Sequence, residues 1–202
     1  MEKTKIKRLI AATVTPMEKN GDINLTAIDA YAEHLIKLGV AGVFVCGTTG
    51  ESLFLDTEER KKVAEAWMKF SDRLKILVHV GSTSYRISSE LAVHAGLIGA
   101  DAISAMGPCF LQPNRVEELV QFNKLIAEKA PGIPYYYYHI PTTSGVNIHM
   151  PAFLEKAASE IPTLNGIKYT SYNSMEMCHG IQFGFGSNKQ PPTENEANQI
   201  VL

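Results

Sequence analysis

Two stretches of this sequence combine an apolar or aromatic run with a residue that could do chemistry. Residues 133–141, Ile-Pro-Tyr-Tyr-Tyr-Tyr-His-Ile-Pro, contain Tyr138, and residues 165–170, Asn-Gly-Ile-Lys-Tyr-Thr, contain Lys168. Each run is typical of a buried strand, and neighbouring parallel strands end at the same edge of a sheet. An amine removed from bulk water can attack a carbonyl, and a phenol beside it can transfer the proton. The pair therefore indicates covalent chemistry on a carbonyl substrate.

The same residues have ordinary structural interpretations, which their spacing leaves open. A lysine at the end of a strand can be an edge residue whose ammonium group reaches solvent. Four consecutive tyrosines, 135–138, point two to each face of a strand, so Tyr138 can serve packing alone. His139 is better explained as a loop residue satisfied by hydrogen bonds than as a catalytic base.

A third stretch, Gly47-Thr48-Thr49-Gly50, indicates an anion-binding loop. Glycine permits close approach, so the backbone N–H groups and both hydroxyls can face an anion. The stretch lacks the Gly-x-x-x-x-Gly-Lys pattern of a phosphate loop, which favours a carboxylate as the ligand. An ordinary Gly-Thr turn explains this loop equally well, and Glu51 is expected to support it structurally.

Strand and helix patterns alternate along the chain and position these residues. The expected strands cover residues 9–14, 42–46, 75–80, 102–106, 135–138 and 166–168. Helices are expected between them, with N-terminal capping pairs Asp56–Glu59 and Asn114–Glu117 and a last helix at 151–159. The alternation predicts an α/β fold with a parallel sheet. The loop after the first strand lacks a Gly-rich dinucleotide fingerprint, and chemistry after several strands favours a TIM (β/α)8-barrel type over a doubly wound sheet.

The expected barrel contains only about six βα units. Residues 1–178 form the expected partial barrel. Residues 179–202 are interpreted as a divergent, flexible tail, because helical periodicity is lost after Cys178 and polar residues and prolines dominate. We expect no sixth helix and no seventh or eighth strand there. Lys168 would then lie on an edge strand, wetter and less perturbed than in a closed barrel.

Composition excludes several classes of function. The 202 residues are 45 % apolar and 20 % charged, as in an ordinary globular protein. A formal net charge of −2 argues against nucleic acid and anionic lipid as partners, and no apolar run reaches the roughly 18 residues of a membrane span. Three widely spaced cysteines predict neither a zinc site nor a disulfide framework, and they favour reduced thiols in the cytoplasm.

Three motifs together resemble the dihydrodipicolinate synthase / N-acetylneuraminate lyase family. They are residues 47–51 (Gly-Thr-Thr-Gly-Glu), 138–141 (Tyr-His-Ile-Pro) and 166–170 (Gly-Ile-Lys-Tyr-Thr), and the resemblance covers about residues 6 to 178 in the right order. Ser144-Gly145-Val146 is similar to the lyase branch. The synthase branch carries an arginine where this chain has Thr142 and Thr143.

The resemblance implies a role for each site residue. Lys168 would form a Schiff base with C2 of the open-chain sialic acid or with pyruvate, and Tyr138 would take the proton of the C4 hydroxyl. Thr48 and Thr49 would hold the C1 carboxylate, and Thr170 would line the sugar side. The products would be N-acetylmannosamine and pyruvate. No metal and no cofactor are required, and members of the family commonly form homotetramers.

The resemblance also leaves alternatives open. The family's Gly-x-Asp-Glu sugar-binding loop after the seventh strand has no counterpart, since residues 186–189 read Gly-Ser-Asn-Lys. The chain is therefore expected to be a shortened product of a lyase gene. One alternative is condensation of pyruvate with a different aldehyde. Another is a non-catalytic fragment that pairs with other subunits through its open sheet edges.

Overall fold

Six parallel strands form a single sheet in residues 9–182, the part of the chain that the computed structural model describes. The strands are β1 (Ile10–Ala12), β2 (Gly42–Val45), β3 (Lys75–His79), β4 (Ala102–Met106), β5 (Tyr135–His139) and β6 (Leu164–Tyr169). They pair in sequence order from β1 to β6. A doubly wound sheet would reverse its order at a switch point, so the order confirms the predicted barrel-type sheet.

Seven helices accompany the described strands. They are α1 (Ala27–Lys37), α2 (Thr57–Met68), α3 (Tyr85–Leu97), α4 (Val116–Ala127), α5 (Pro141–Ser144), α6 (Met150–Glu160) and α7 (Ser174–Gln182). Helix α2 begins with the predicted capping box, in which the Asp56 side chain accepts from the Glu59 N–H and the Glu59 side chain accepts from the Asp56 N–H. The longest helix among residues 9–182 is α3 with 13 residues, which is shorter than a membrane-spanning helix.

Two predictions about the helices are wrong: one concerns the start of α4 and the other the absence of a helix after β6. At α4 the reciprocal carboxylate belongs to Glu118, which accepts from the backbone N–H groups of Asn114 and Arg115, so the predicted partner Glu117 is off by one residue. The expected absence of a helix at the end of the partial barrel also fails, because α7 runs through Cys178 to Gln182. Residues 183–202, which carry the rest of the expected tail, lie outside the described residues.

Alternation along the strands separates two apolar clusters. Val43, Ile103 and Tyr137 face the helices and belong to the large cluster between the sheet and the helical layer. The opposite face of the sheet carries the inner cluster, which comprises Phe44, Leu77, Ala102, Met106, Tyr136, Tyr138 and Ile140. The predicted alternation of tyrosines 135–138 is confirmed, because Tyr135 and Tyr137 lie in one cluster and Tyr136 and Tyr138 in the other.

The sheet curls around this inner cluster. Lys168 on β6 places its Nζ 5.4 Å from the ring centroid of Phe44 on β2, although three strands lie between them in the sheet. A flat sheet with strands about 4.8 Å apart would hold these strands roughly 19 Å apart. The curl is what brings the ends of β2, β5 and β6 to one site.

Candidate active site

The strands β5 and β6 place the predicted amine and phenol side by side. Tyr138 and Lys168 are register partners, and the Lys168 Nζ lies 4.1 Å from the centroid of the Tyr138 ring. Both side chains are on the inner face, because Tyr138 belongs to the inner cluster and the two neighbours of Lys168 on β6, Ile167 and Tyr169, belong to the cluster that faces the helices. The ammonium of a lysine over an aromatic face is attracted by the ring's quadrupole, which offsets part of its desolvation.

Lys168 is buried, with 8 % of its surface exposed, although it lies on an edge strand of the described sheet. Burial lowers the pKa of its amine to about 8 from an ordinary 10.5. The expectation that Lys168 is solvated and its pKa little changed is therefore wrong. No described strand pairs with the outer side of β6, but the rings of Phe44 and Tyr138 cover the amine. The alternative of an edge lysine reaching solvent is excluded by the same burial.

Tyr138 has its hydroxyl directed at the loop after β2. Its Oη donates to Thr48 Oγ1 at 3.4 Å, which is longer than an ordinary hydroxyl hydrogen bond, so the contact is weak. Burial raises the pKa of Tyr138, and the Thr48 contact opposes that rise in part. The phenol is therefore protonated near neutral pH and has a hydrogen to give to a stronger acceptor.

The loop 47–50 is held by hydrogen bonds that leave the backbone N–H groups of its two threonines free. Gly50 N donates to Gly47 O at 3.0 Å, and Thr15 Oγ1 donates to Gly50 O at 2.8 Å. Thr48 and Thr49 are exposed, and their backbone N–H groups donate to no acceptor among residues 9–182. Free N–H groups and hydroxyls beside a buried amine are what a carboxylate would use.

A glycine is required at position 47 by close packing. A Cβ there would lie 2.6 Å from the Phe44 ring, which is the ring that covers Lys168. The residues flanking the loop, Cys46 and Glu51, both have φ of 56°, in the left-handed region that non-glycine residues seldom adopt. The backbone is thus held in an uncommon conformation at both ends of the loop.

Thr170 and His139 take positions that the sequence does not predict well. The Thr170 hydroxyl donates to His139 O at 2.8 Å, which extends the contact between β5 and β6 beyond the last paired residues. His139 belongs to the strand rather than a loop, faces the helices and stacks on Tyr169 with ring centroids 5.0 Å apart. Burial lowers the pKa of His139 to about 4, so it is neutral near pH 7.

Three residues of the site have no motif in the sequence. Phe44 covers the amine, and His79 of β3 lies against both Phe44 and Tyr138, with ring centroids 6.0 and 5.7 Å away. Arg60 of α2 is buried and donates to the carbonyl oxygens of His79 and Gly81 at 2.7 and 2.9 Å. Strand alternation was a usable signal, because Leu77 of β3 lies in the inner cluster and His79, two residues on, shares its face.

The described residues contain no group of three or more His, Cys, Asp or Glu side chains arranged to hold a metal ion. Cys46, the thiol closest to the loop in sequence, is buried, and burial raises its pKa to about 11. A thiol held in this state is a poor nucleophile. The groups that the strand ends and the loop do bring together are the Lys168 amine, the Tyr138 phenol and the hydrogen-bond donors of the threonine loop.

Known proteins share the sequence pattern and the fold of this chain. The model of the dihydrodipicolinate synthetase family matches residues 5–183. The chain belongs to this family. Human N-acetylneuraminate lyase is 44 % identical over 177 residues, which cover 86 % of this chain and 55 % of the human protein. Membership confirms the family that the three sequence motifs indicate.

Solved structures of family members align with the described fold. The N-acetylneuraminate lyase of Proteus mirabilis superposes with a TM-score of 0.88 at 39 % identity and covers 98 % of this chain and 63 % of its own. A Ruminococcus gnavus sialic acid aldolase with a mutated catalytic lysine superposes with a TM-score of 0.81 at 29 % identity, covering 88 % of this chain and 57 % of its own. The chain thus spans little more than half the length of the relatives it matches.

Proposed function

We propose that this chain performs class I aldolase chemistry, cleaving N-acetylneuraminate to N-acetylmannosamine and pyruvate through a Schiff base on Lys168. One observation carries the proposal: the amine of Lys168 is buried against Tyr138 and its pKa is lowered to about 8. Imine formation needs a neutral amine, and burial supplies one near physiological pH. Relatives named as N-acetylneuraminate lyases and as a sialic acid aldolase with a catalytic lysine support the same chemistry.

In the proposed mechanism the Lys168 amine attacks the C2 carbonyl of the open-chain sugar acid. The C2 oxygen leaves as water and takes a proton from the Tyr138 phenol, which burial keeps protonated in the resting site. The product of this step is a protonated imine and a phenolate. The two charges form within one desolvated site, where each stabilises the other.

Cleavage of the C3–C4 bond then uses the Tyr138 phenolate that imine formation produced. The Tyr138 phenolate takes the proton of the C4 hydroxyl, the C3–C4 bond breaks, and its electron pair passes into the imine to give an enamine. N-acetylmannosamine leaves as the aldehyde. Tyr138, which now carries the C4 hydroxyl proton, gives a proton to C3, and this restores the protonated imine and the phenolate. Water then adds to C2 and gives a proton to the phenolate, and the adduct breaks down to pyruvate and the neutral Lys168 amine. Each step balances without a metal or a diffusible cofactor.

The remaining predicted residues would hold the substrate. Thr48 and Thr49 are proposed to bind the C1 carboxylate through hydroxyls and free N–H groups, since both are exposed and Thr48 contacts the Tyr138 hydroxyl. Thr170 is proposed to line the sugar side. Its hydroxyl already donates to His139 O, so it would offer the substrate an acceptor oxygen.

The direct test is to incubate the chain with pyruvate, reduce with borohydride, and map the adduct by mass spectrometry. We expect one reduced pyruvate on Lys168 and none after Lys168→Ala. Lys75→Ala is the matched control, because Lys75 is also a strand lysine but is paired with Asp101 at the surface. Loss of the adduct in the control, or no adduct in the unmodified chain, would refute the proposal.

A second candidate is a pyruvate aldolase that uses another aldehyde. The site residues brought together by the described fold are those that would bind pyruvate: the Lys168 amine, the Tyr138 phenol and the loop proposed to bind a carboxylate. This placement favours the second candidate, because pyruvate is the partner that the two reactions share. Condensation assays with pyruvate and a panel of aldehydes distinguish the two functions. A strict preference for N-acetylmannosamine would reject the second candidate, and adduct formation without any condensation would favour a non-catalytic form.

We further propose a reducing compartment, the cytoplasm, and a homo-oligomeric state. Free thiols at Cys46, Cys109 and Cys178 support the compartment. The homotetramers common in the family support the assembly. Fractionation and size-exclusion chromatography of the native protein test these two points separately.

A further inference from the structure

His79 is a buried histidine on the inner face of the sheet, at the end of β3. Its Nδ1 lies 2.9 Å from the carbonyl oxygen of Cys46. A carbonyl oxygen can only accept, so Nδ1 carries the hydrogen and donates. Burial lowers the pKa of His79 to about 3, with Arg60 and Lys168 adding to the effect, so the ring is neutral in this bond.

The acceptor of that bond is the residue from which the threonine loop departs. Cys46 has a φ of 56° and immediately precedes Gly47, Thr48 and Thr49. A non-glycine residue in the left-handed region persists only where its surroundings hold it. The bond from His79 is one such restraint, and it fixes the carbonyl of the strained residue itself.

The ring of His79 also contacts Tyr138, the residue proposed to transfer the proton. Its ring meets the Tyr138 ring at 89° with centroids 5.7 Å apart, and Phe44 meets Tyr138 at 81° and 5.5 Å. Edge-to-face contacts of this kind fix ring orientation. The amine of Lys168 lies against the rings of Phe44 and Tyr138, which His79 also contacts. Displacement of His79 would therefore shift the surroundings of both the Tyr138 phenol and the Lys168 amine.

The position of His79 is itself enforced from two sides. Arg60 holds the backbone carbonyls of His79 and Gly81, which fixes the end of β3. At Gly81 a Cβ would lie 2.7 Å from His79 Nε2 and 3.0 Å from Met106 N, so only glycine leaves room for the ring. A side chain held this firmly is suited to positioning others.

We propose that His79 is a positioning residue that couples the carboxylate-binding loop to Tyr138, so that binding and proton transfer are aligned by a single side chain. The inference rests on the proposed function, because it assigns His79 to that same site. His79 acts through Cys46 and Tyr138 and needs no contact with the substrate.

Two substitutions separate its two contacts. His79→Phe keeps a ring against Tyr138 but removes the donor to Cys46 O, and His79→Asn keeps an amide donor near the Nδ1 position but removes the ring. We expect His79→Phe to weaken pyruvate binding about tenfold, as for loss of a buried hydrogen bond. We expect His79→Asn to leave binding within about twofold and to slow C3–C4 cleavage about three- to tenfold, the effect of losing an aromatic pair.

Loop order gives a readout that needs no turnover. Amide exchange at Gly50 and Ser52, whose N–H groups both donate to Gly47 O, should be faster in His79→Phe than in the unmodified chain and nearly unchanged in His79→Asn. The comparison of Gly81→Ala with Gly96→Ala gives a second route, since a Cβ at Gly96 meets only ordinary contacts at 3.5 Å. Gly81→Ala should lose both binding and cleavage, and Gly96→Ala neither.

The outcomes distinguish this inference from the proposed function. An unmodified chain that forms no pyruvate adduct refutes the proposed function, and the exchange data then decide whether His79 orders the loop. An unmodified chain that forms the adduct, with both His79 variants matching it in binding, cleavage and exchange, refutes the positioning role. Equal loss of all three properties in both variants refutes the division of labour between ring and donor and indicates a merely structural role.

Discussion

The chemistry of individual residues is decided by what surrounds them, and Lys168 is the clearest case. Its pKa of about 8 means that about a tenth of the amine is neutral at pH 7, against a few ten-thousandths for an ordinary lysine. We expect the rate of imine formation with pyruvate to rise about tenfold per pH unit below 8 and to level above it. Borohydride trapping of the imine after timed incubations, at pH values from about 6 to about 10, measures this pH profile.

Phe44 offers a matched variant for that profile. Its ring lies 5.4 Å from the Lys168 Nζ, and Phe44→Ser would admit water to the amine. The inflection should then move up, towards the ordinary 10.5. A profile in the unmodified chain that continues to rise to pH 10 would mean that the amine is not desolvated in solution.

Burial of Lys168 has a cost in stability that can be measured directly. Because its folded pKa lies below its unfolded pKa, the unfolded chain binds more protons between pH 8 and 10.5, and the free energy of unfolding rises with pH across this window. Below pH 8 the folded chain bears the full cost, at most about 3 kcal/mol. Lys168→Met should therefore be more stable by about 1–3 kcal/mol at pH 7, although it forms no adduct.

Urea unfolding at pH 7 and at pH 10 measures this effect. The advantage of Lys168→Met should shrink at the higher pH, because the unfolded lysine is then largely neutral as well. Lys75→Met serves as the control, since Lys75 is half-exposed and paired with Asp101. A variant that is less stable than the unmodified chain at pH 7 would show that contacts of the ammonium with the rings outweigh its desolvation.

At the level of elements, the cap of α2 makes a measurable contribution. Asp56 accepts from Glu59 N at 2.7 Å, and Ser84, the N-cap of α3, makes no such bond. Asp56→Ala should cost about 1 kcal/mol of unfolding free energy, and Ser84→Ala only a few tenths. Chemical denaturation of the two variants side by side checks this. Equal losses would mean that the bond at Asp56 adds nothing beyond the residue's intrinsic preference.

The elements also show where sequence patterns suffice and where they do not. The six strands and the alternation of Tyr135–Tyr138 were predicted, because buried parallel strands are continuous apolar runs and a strand has a period of two. Helix α7 was missed, since its packing is long-range: Glu176 accepts from Met150 N at 2.7 Å and from the Tyr169 hydroxyl at 2.9 Å. The local signal was Asn173, whose side chain accepts from Glu176 N as an N-cap does.

Site residues divide in the same way. The proximity of Lys168, Tyr138 and Thr48 could be predicted, because strand ends and glycine-flanked loops carry recognisable residue types, whereas the catalytic and binding roles of these residues stay predictions. His79 and Arg60 were missed because their partners are backbone carbonyls 33 and 19 residues away in sequence. A carbonyl acceptor leaves no residue-type signature, so such contacts emerge only when the sheet has curled.

For the whole molecule, the decisive feature is a curled sheet whose inner face is apolar and whose edges are β1 and β6. Each edge strand has one strand partner among the described residues, and unpaired N–H and C=O groups on an edge can pair with another chain. Strand β6 presents six residues and β1 only three, so β6 is the stronger candidate. We therefore expect concentration-dependent self-association, in keeping with the proposed homo-oligomer.

Sedimentation velocity over a wide range of protein concentration measures the association, and amide exchange locates it. Exchange in β6 should slow as concentration rises, and exchange in β4, which is paired on both sides, should stay constant. High salt should leave the association intact, because backbone pairing and apolar contact are weakly screened, unlike exposed ion pairs. A monomer at all concentrations would contradict edge pairing. Association with unchanged β6 exchange would instead direct attention to exposed loop residues such as Phe110 and Leu111, which are 81 % and 79 % exposed.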